Sequence, residues 1–284
     1  PVVSSAASDV YKRQDLNHAF HQFPISEESR NLYKFTTPFG LFRFRRLVMG
    51  TPPASGECHT KLAAIISGLE GVCQIKDDIV VHGKQEQHDE RLEKVFQRLM
   101  KYKLTLRPEK CQLGKPEVRW FGNIYSKQGM SPDPEKVADI KAWTAPKDKS
   151  EVKSFLQTIQ FVSTYMRVGG EETYADVTLP LRKLTGKGVR FKWTEECRRS
   201  FERLKELLSS DTVLMSYEPT RKTRLYVDHG PTGLASSVCQ QYHEPGQPKQ
   251  WRMVTHKSRA LQNAELNYEK IEGESLGAVS YTHL

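Results

Sequence analysis

The chain lacks any uninterrupted apolar run near the roughly 18 residues needed to cross a bilayer. Nothing close to Pro1 has the charged-then-apolar layout of a secretory leader. The sequence therefore argues against a membrane-spanning or secreted protein. Cysteine is sparse. Cys58, Cys73, Cys111, Cys197 and Cys239 stand far apart, with no Cys-x-x-Cys pair and no histidine at zinc-ligand spacing. That pattern excludes a structural zinc site and a disulfide framework, and it predicts free thiols in a reducing compartment. Internal repeats and low-complexity tracts are absent too. Acidic residues are in deficit, 34 against 43 Lys and Arg, for a net charge of +9 and a pI near 9.2. This balance favours a polyanionic partner and is equally compatible with a merely basic surface. What is present is 284 residues, 37% hydrophobic and 27% charged, with a mean hydropathy of −0.61. Such a chain can bury a substantial core in one or two domains.

Neither end reads as native. There is no initiating Met, and Ser4–Gln14 (SSAASDVYKRQ) and Val279–Leu284 (VSYTHL) resemble translated sequencing adaptors. Residues 1–14 and 280–284 are accordingly set aside, and the remainder is expected to begin and end inside domains.

From Leu41 to Arg46 aromatic and basic residues alternate with strand period, which suits a nucleic-acid channel or an ordinary edge strand. Met49-Gly50-Thr51-Pro52-Pro53 breaks the pattern, and Lys61–Ile66 reads as a short helix ending near Gly68. Two apolar runs between Val72 and Val81 flank Lys76-Asp77-Asp78, predicting a hairpin with acidic residues at its turn. Within Glu86–Met100, the residues Leu92, Val95, Phe96 and Leu99 mark the buried face of a helix. Asp133 is placed to cap a helix with Pro134 at its first position, Ser150 to cap a second and Thr194 a third, so Asp133–Ser209 reads as a helical region. After Asp211, strands are expected at Arg224–Val227, Ala235–Cys239 and Trp251–Thr255, with a helix from Ala264, the opening of an α/β unit.

Asp77 and Asp78 are adjacent carboxylates between apolar strands, an arrangement that repulsion and desolvation disfavour unless a cation neutralises them. Mg²⁺ suits such hard oxygen ligands. A polar turn is the competing explanation, as a plain helix cap is for Asp15.

Their joint order carries more. Asp15-Leu16-x-x-Ala19-Phe20-His21-Gln22, Thr37-Pro38-Phe39-Gly40-Leu41-Phe42-Arg43-Phe44, Met49-Gly50-x-x-Pro53-Ala54, Ile75-Lys76-Asp77-Asp78, Leu106-Arg107-Pro108-Glu109-Lys110-Cys111 and Trp120-Phe121-Gly122 follow one another. This series resembles the polymerase region of gypsy-type long-terminal-repeat retrotransposon polyproteins. Downstream, Tyr226-Val227-Asp228, Gly233-Leu234 and Ile271-Glu272-Gly273-Glu274-Ser275-Leu276 resemble the start of a ribonuclease H domain.

The resemblance implies an α+β fold: a palm of antiparallel sheet and helices with a remnant of fingers over 15–129, a helical thumb or connecting region over 130–210, and the N-terminal part of a ribonuclease H-like domain over 211–279. It implies an RNA-directed DNA polymerase using two-metal nucleotidyl transfer, with Asp15, Asp77 and Asp78 as catalytic, metal-binding carboxylates. The cofactor would be Mg²⁺, with Mn²⁺ as the alternative. Phe20 and Gly50 would face the nucleotide, Trp120, Phe121 and Gly122 would form a primer grip, and Asp228 and Glu274 would bind ribonuclease H metal. The implied partners are an RNA or DNA template with its primer and deoxynucleoside triphosphates, with no membrane and no particular oligomeric state. The implied location is intracellular: cytoplasm, virus-like particle or nucleus.

Ile75 stands where the family has Tyr, Met49 for Phe, Ser55 for Pro, and Cys58-His59 for Phe-Gln. His229-Gly230 replaces Ala-Ser, and Lys12-Arg13-Gln14 occupies a place for apolar strand residues. Gly273 and Gly277 are expected to weaken their helix by about 1 kcal/mol each relative to Ala. These departures keep a second expectation open, a catalytically inactive, pol-derived nucleic-acid-binding relic or pseudogene product.

Overall fold

The computed structural model describes residues 10–166, 173–208, 212–243, 248–262 and 264–282. The fold is α+β and divides into two compact units, Pro1–Phe121 and Gly122–Leu284. No helix among the described residues is long and apolar enough to cross a membrane.

In the first unit, β1 (Val10–Asp15) leads into the one-turn α1 (Ala19–Gln22). A two-stranded hairpin follows, β2 (Lys34–Thr37) with β3 (Gly40–Arg43), then α2 (Ala54–Ile66). Next come β4 (Val72–Ile75), β5 (Asp78–Gly83), α3 (Gln85–Lys101), β6 (Gln112–Lys115) and β7 (Glu117–Trp120). Four strands form one sheet in the order β4-β5-β1-β6, with β1 antiparallel to both neighbours. α2 and α3 supply Cys58, Leu62, Val95 and Leu99 to a core completed by Ile79 and Val81 of β5. α2 starts seven residues before the expected Lys61, directly after the Pro52-Pro53 break, with Pro53 as its N-cap. The segment set aside as adaptor-like contains most of β1, which is paired over its full length with β5. Backbone pairing with the interior strand recruits Val10–Gln14 whatever side chains they carry.

The second unit opens with the hairpin β8 (Asn123–Ser126) and β9 (Gly129–Pro132). Four helices follow, α4 (Pro134–Lys141), α5 (Lys149–Val162), α6 (Tyr174–Leu184) and α7 (Glu195–Leu207). Asp133 caps α4 by accepting from the Glu135 amide at 3.1 Å, and Thr194 caps α7. α5 is capped by Asp148 instead of the expected Ser150: the Asp148 carboxylate accepts from the Glu151 amide at 2.8 Å, which leaves Ser150 inside the first turn. α6 escaped the periodicity because Pro180 interrupts it, yet a reciprocal Thr173–Asp176 capping box starts it. Phe155 and Phe201, with ring centroids 4.5 Å apart, sit at the centre of this unit's core. The chain then forms the antiparallel sheet β10 (Thr223–His229), β11 (Gly233–Tyr242) and β12 (Gln250–Ala260), followed by α8 (Lys270–Thr282). The last helix begins six residues later than expected, after a short turn at Glu265–Asn267.

Candidate active site

Ile75 pairs with Asp78, so β4 and β5 are joined by the two-residue turn Lys76-Asp77, with Lys76 at φ 56°. The Gln74 amide fastens this turn to α2, its Nε2 donating to the Lys76 carbonyl at 2.6 Å and to the His59 carbonyl at 3.2 Å. On the other side of β5, the β1 register sets the Asp15 Cα opposite that of Asp78. One sheet end therefore gathers the backbones of all three carboxylates predicted for catalysis, with Asp15 more than sixty positions before the adjacent Asp77 and Asp78. Beyond Asp15, Leu16 is buried and His18 takes a left-handed φ of 48° to start α1. Phe20 is half-buried there, packed against the core.

The electrostatics of the turn differ from the expectation. Arg13 forks onto Asp78: its Nη2 donates to Oδ2 at 2.9 Å and Oδ1 at 3.1 Å, and its Nε donates to Oδ1 at 3.3 Å. Its Nη1 donates to the Arg119 carbonyl at 3.3 Å. Strand alternation sends the next residue, Gln14, to the opposite face, where it is fully buried beside the Ile79 backbone. Among the described residues, neither polar atom of the Gln14 side chain has a hydrogen-bond partner. Asp77 is half-buried at the turn. Burial first, and then the negative charge of Asp77, push the nearby Cys58 thiol up to about 11, with Lys61 acting the other way. Cys58 is thus a protonated packing residue and not a nucleophile.

Gly50 occupies an exposed loop at φ 91°, beside the exposed Met49. Of the expected primer grip, Trp120 is only 1% exposed and belongs to the interior, whereas Phe121 is 44% exposed at φ 53°. Gly122 opens the second unit at φ 72°. Along the β2–β3 hairpin, Phe35 and Phe42 stack with centroids 6.0 Å apart and Phe39 at the tip is 91% exposed. Arg43, Arg45 and Arg46 are exposed as well. The segment expected to be aromatic and basic is therefore a solvent-facing surface.

In the second unit, Asp228 is exposed near the end of β10, across from Ala235, and Glu274 is exposed on α8. A Cβ on Gly273 would collide with the His229 ring, so the helix turn carrying Glu274 lies against the strand end carrying Asp228. No group of three or more His, Cys, Asp or Glu side chains among the described residues is placed to hold a metal ion. With both oxygens of Asp78 taken by Arg13, the described side chains at the turn do not fit a bound divalent cation. Sequence reasoning passed over Arg13 and Gln14 by setting their segment aside. The available signal was the parity of a strand ending at Asp15, which makes one of them a core position.

A family model described as reverse transcriptase (RNA-dependent DNA polymerase) matches residues 4–125, and one described as the RNase H-like domain found in reverse transcriptase matches residues 193–283. The retrovirus-related Pol polyprotein from transposon 412 of Drosophila melanogaster is 28% identical over 263 residues, 92% of this chain and 20% of that protein. The transposon Tf2-3 polyprotein of Schizosaccharomyces pombe is 24% identical over 276 residues, 96% of this chain and 20% of that protein. The chain thus spans about a fifth of the length of the curated relatives it matches. Among solved structures, a foamy viral protease-reverse transcriptase in complex with double-stranded DNA aligns with a TM-score of 0.82 at 20% identity, covering 99% of this chain and 48% of that one. The same type of protein in complex with RNA/DNA hybrid aligns at 0.80 and 20%, covering 99% and 37%. Residues 4–125 belong to the reverse transcriptase family, and residues 193–283 belong to the RNase H-like domain found in reverse transcriptases.

Proposed function

We propose that this chain is the polymerase-bearing segment of a gypsy-type retrotransposon polyprotein, an RNA-directed DNA polymerase that extends a primer on a nucleic-acid template, followed by a ribonuclease H-like region. The observation that carries this is the register of β1 on β5, which sets Asp15 opposite Asp78 at a tight turn bearing Asp77, inside the segment that matches the reverse transcriptase family. Asp15, Asp77 and Asp78 are the proposed catalytic carboxylates. Mg²⁺ or Mn²⁺ is the proposed cofactor, although the described side chains at the turn, with Asp78 forked by Arg13, do not fit a bound cation as they stand.

The chain's own residues account for the other requirements. Phe20 and Gly50 lie on the segments proposed to face the incoming deoxynucleoside triphosphate. The exposed rings and arginines of Phe39–Arg46 suit a template strand, the rings by stacking on bases and the guanidiniums by pairing with phosphates. Phe121 is the exposed member of the proposed primer grip. Asp228 and Glu274 are proposed as ribonuclease H carboxylates.

The test is primer extension with excess chain, an RNA template, a DNA primer, deoxynucleoside triphosphates and Mg²⁺. Asp77→Asn should reduce the product at least about a hundredfold while leaving hybrid affinity unchanged, the signature of a group used in the transition state and not in binding. Hybrid binding with no template-directed extension by either the natural chain or Arg13→Leu would overturn the proposal.

A further inference from the structure

Among the described residues, β10 pairs with β11 alone and forms the edge of its sheet. The backbone bonds at its two ends fix which groups face outward. The Gln241 amide donates to the Lys222 carbonyl at 3.0 Å and the Gly230 amide to the Gly233 carbonyl at 2.9 Å, and the register between them runs without a bulge. Antiparallel alternation then turns the amide and carbonyl groups of Arg224, Tyr226 and Asp228 toward β11, and those of Thr223, Leu225, Val227 and His229 toward the open edge. Side chains alternate as well. Arg224, Tyr226 and Asp228 stand on one face, all exposed, and α8 lies over the other, against Val227 and His229. The Arg224 guanidinium rests on the Trp251 ring, 4.2 Å from its centroid.

We propose that two copies of this chain join antiparallel along β10, with a two-fold axis at Tyr226. The inference is independent of the polymerase reading. The strand is complementary to itself in that register. Tyr226 is its midpoint, so all 7 residues pair: Arg224 of one copy meets Asp228 of the other, twice by symmetry, and Tyr226 meets Tyr226. These are non-hydrogen-bonded pairs, the kind in which side chains approach most closely. The pairs Leu225–Val227 and Thr223–His229 supply the backbone bonds, and the first adds an apolar contact on the other face. Arg224 trades its place on the Trp251 ring for a carboxylate. The neighbouring registers that the alternation allows move the axis to Leu225 or Val227 and take Arg224 away from Asp228. Backbone groups at the open edge thus drive the pairing, and the charges choose its register.

The experiment is sedimentation equilibrium of the full 284-residue chain without nucleic acid, across the micromolar range. A monomer–dimer equilibrium is expected. Asp228→Arg alone sets arginines opposite each other at both ends of the pairing and should weaken the dissociation constant at least about tenfold, as should Arg224→Asp, which opposes aspartates. Arg224→Asp with Asp228→Arg exchanges the charges within one strand and should restore the natural constant to within about threefold. Leu225→Pro removes an amide that faces the open edge and spares the bonds to β11, so it should leave the chain monomeric with its circular dichroism spectrum kept. The natural dimer, which needs no variant to fold, should weaken as salt is raised. A monomer at every concentration overturns the proposal, as does a dimer whose constant ignores salt or both single reversals. A dimer that the exchanged pair fails to restore, or that survives Leu225→Pro, overturns it too.

Discussion

Gly273 of α8 lies directly against the His229 ring of β10, so closely that a Cβ at position 273 would overlap it. One turn further on, Gly277 meets Val227 in the same way. The two glycines are four residues apart and share one helix face, which lets α8 descend onto the sheet. In isolation Ala would be favoured over Gly by about 1 kcal/mol in a helix. Overpacking works against that gain, so Gly273→Ala should lower unfolding stability by about 1–3 kcal/mol. His229→Ala should relieve the clash, and a double-mutant cycle in urea should give a coupling of at least about 0.5 kcal/mol. Additive effects would show that the ring and the glycine are not matched.

Gln14 makes a second prediction, on β1. Its amide is fully buried, with no hydrogen-bond partner among the described residues for either polar atom. Gln14→Leu should raise stability by about 1–2 kcal/mol, because it removes an uncompensated desolvation cost and adds apolar contact. A lower denaturation midpoint for the leucine variant would mean that the amide is satisfied in solution.

Stability should also fall in mild acid. His82 on β5 is buried, and burial first, then Arg91 and His88, lowers its pKa from 6.5 to about 4. The unfolded chain therefore binds this proton more readily than the folded one. The His82 contribution is complete above pH 6.5 and is lost as the pH falls through about 4, to an extent of up to about 3 kcal/mol. Urea melts at pH 7 and 4.5 should show a smaller difference for His82→Gln than for the natural chain. An equal difference would place the acid sensitivity elsewhere.

The net charge of +9 and the exposed arginines around the β2–β3 hairpin predict binding led by phosphates. Affinity for an RNA/DNA hybrid should drop at least about tenfold between 50 and 200 mM salt. A dissociation constant independent of salt would remove the electrostatic basis for that surface.

The hairpin at Lys76-Asp77, the helix over Gln85–Lys101 and the caps at Asp133 and Thr194 were legible because each rests on local chemistry: alternation, a 3.6-residue period, or a side chain satisfying a nearby amide. The order of motifs made the family legible as well. Other features depend on contacts distant in sequence. Nothing local announces that Arg13 will reach Asp78, 65 positions away, or that Gly273 serves close packing and not helix weakness. α6 was hidden by Pro180, and the cap of α5 passed from Ser150 to Asp148 because two polar residues competed for the same helix end. Trp120, named by its motif for a primer grip, is buried, which its motif alone does not announce.

The measurement that bears most directly on the whole account is single-turnover primer extension on an RNA template in Mn²⁺, comparing the natural chain with Asp77→Asn and Asp78→Asn. The natural chain should extend the primer, and either substitution should slow extension at least about a hundredfold. No template-directed extension by the natural chain, or extension that persists without the Asp77 or Asp78 carboxylate, would contradict the assignment of this turn as the polymerase site.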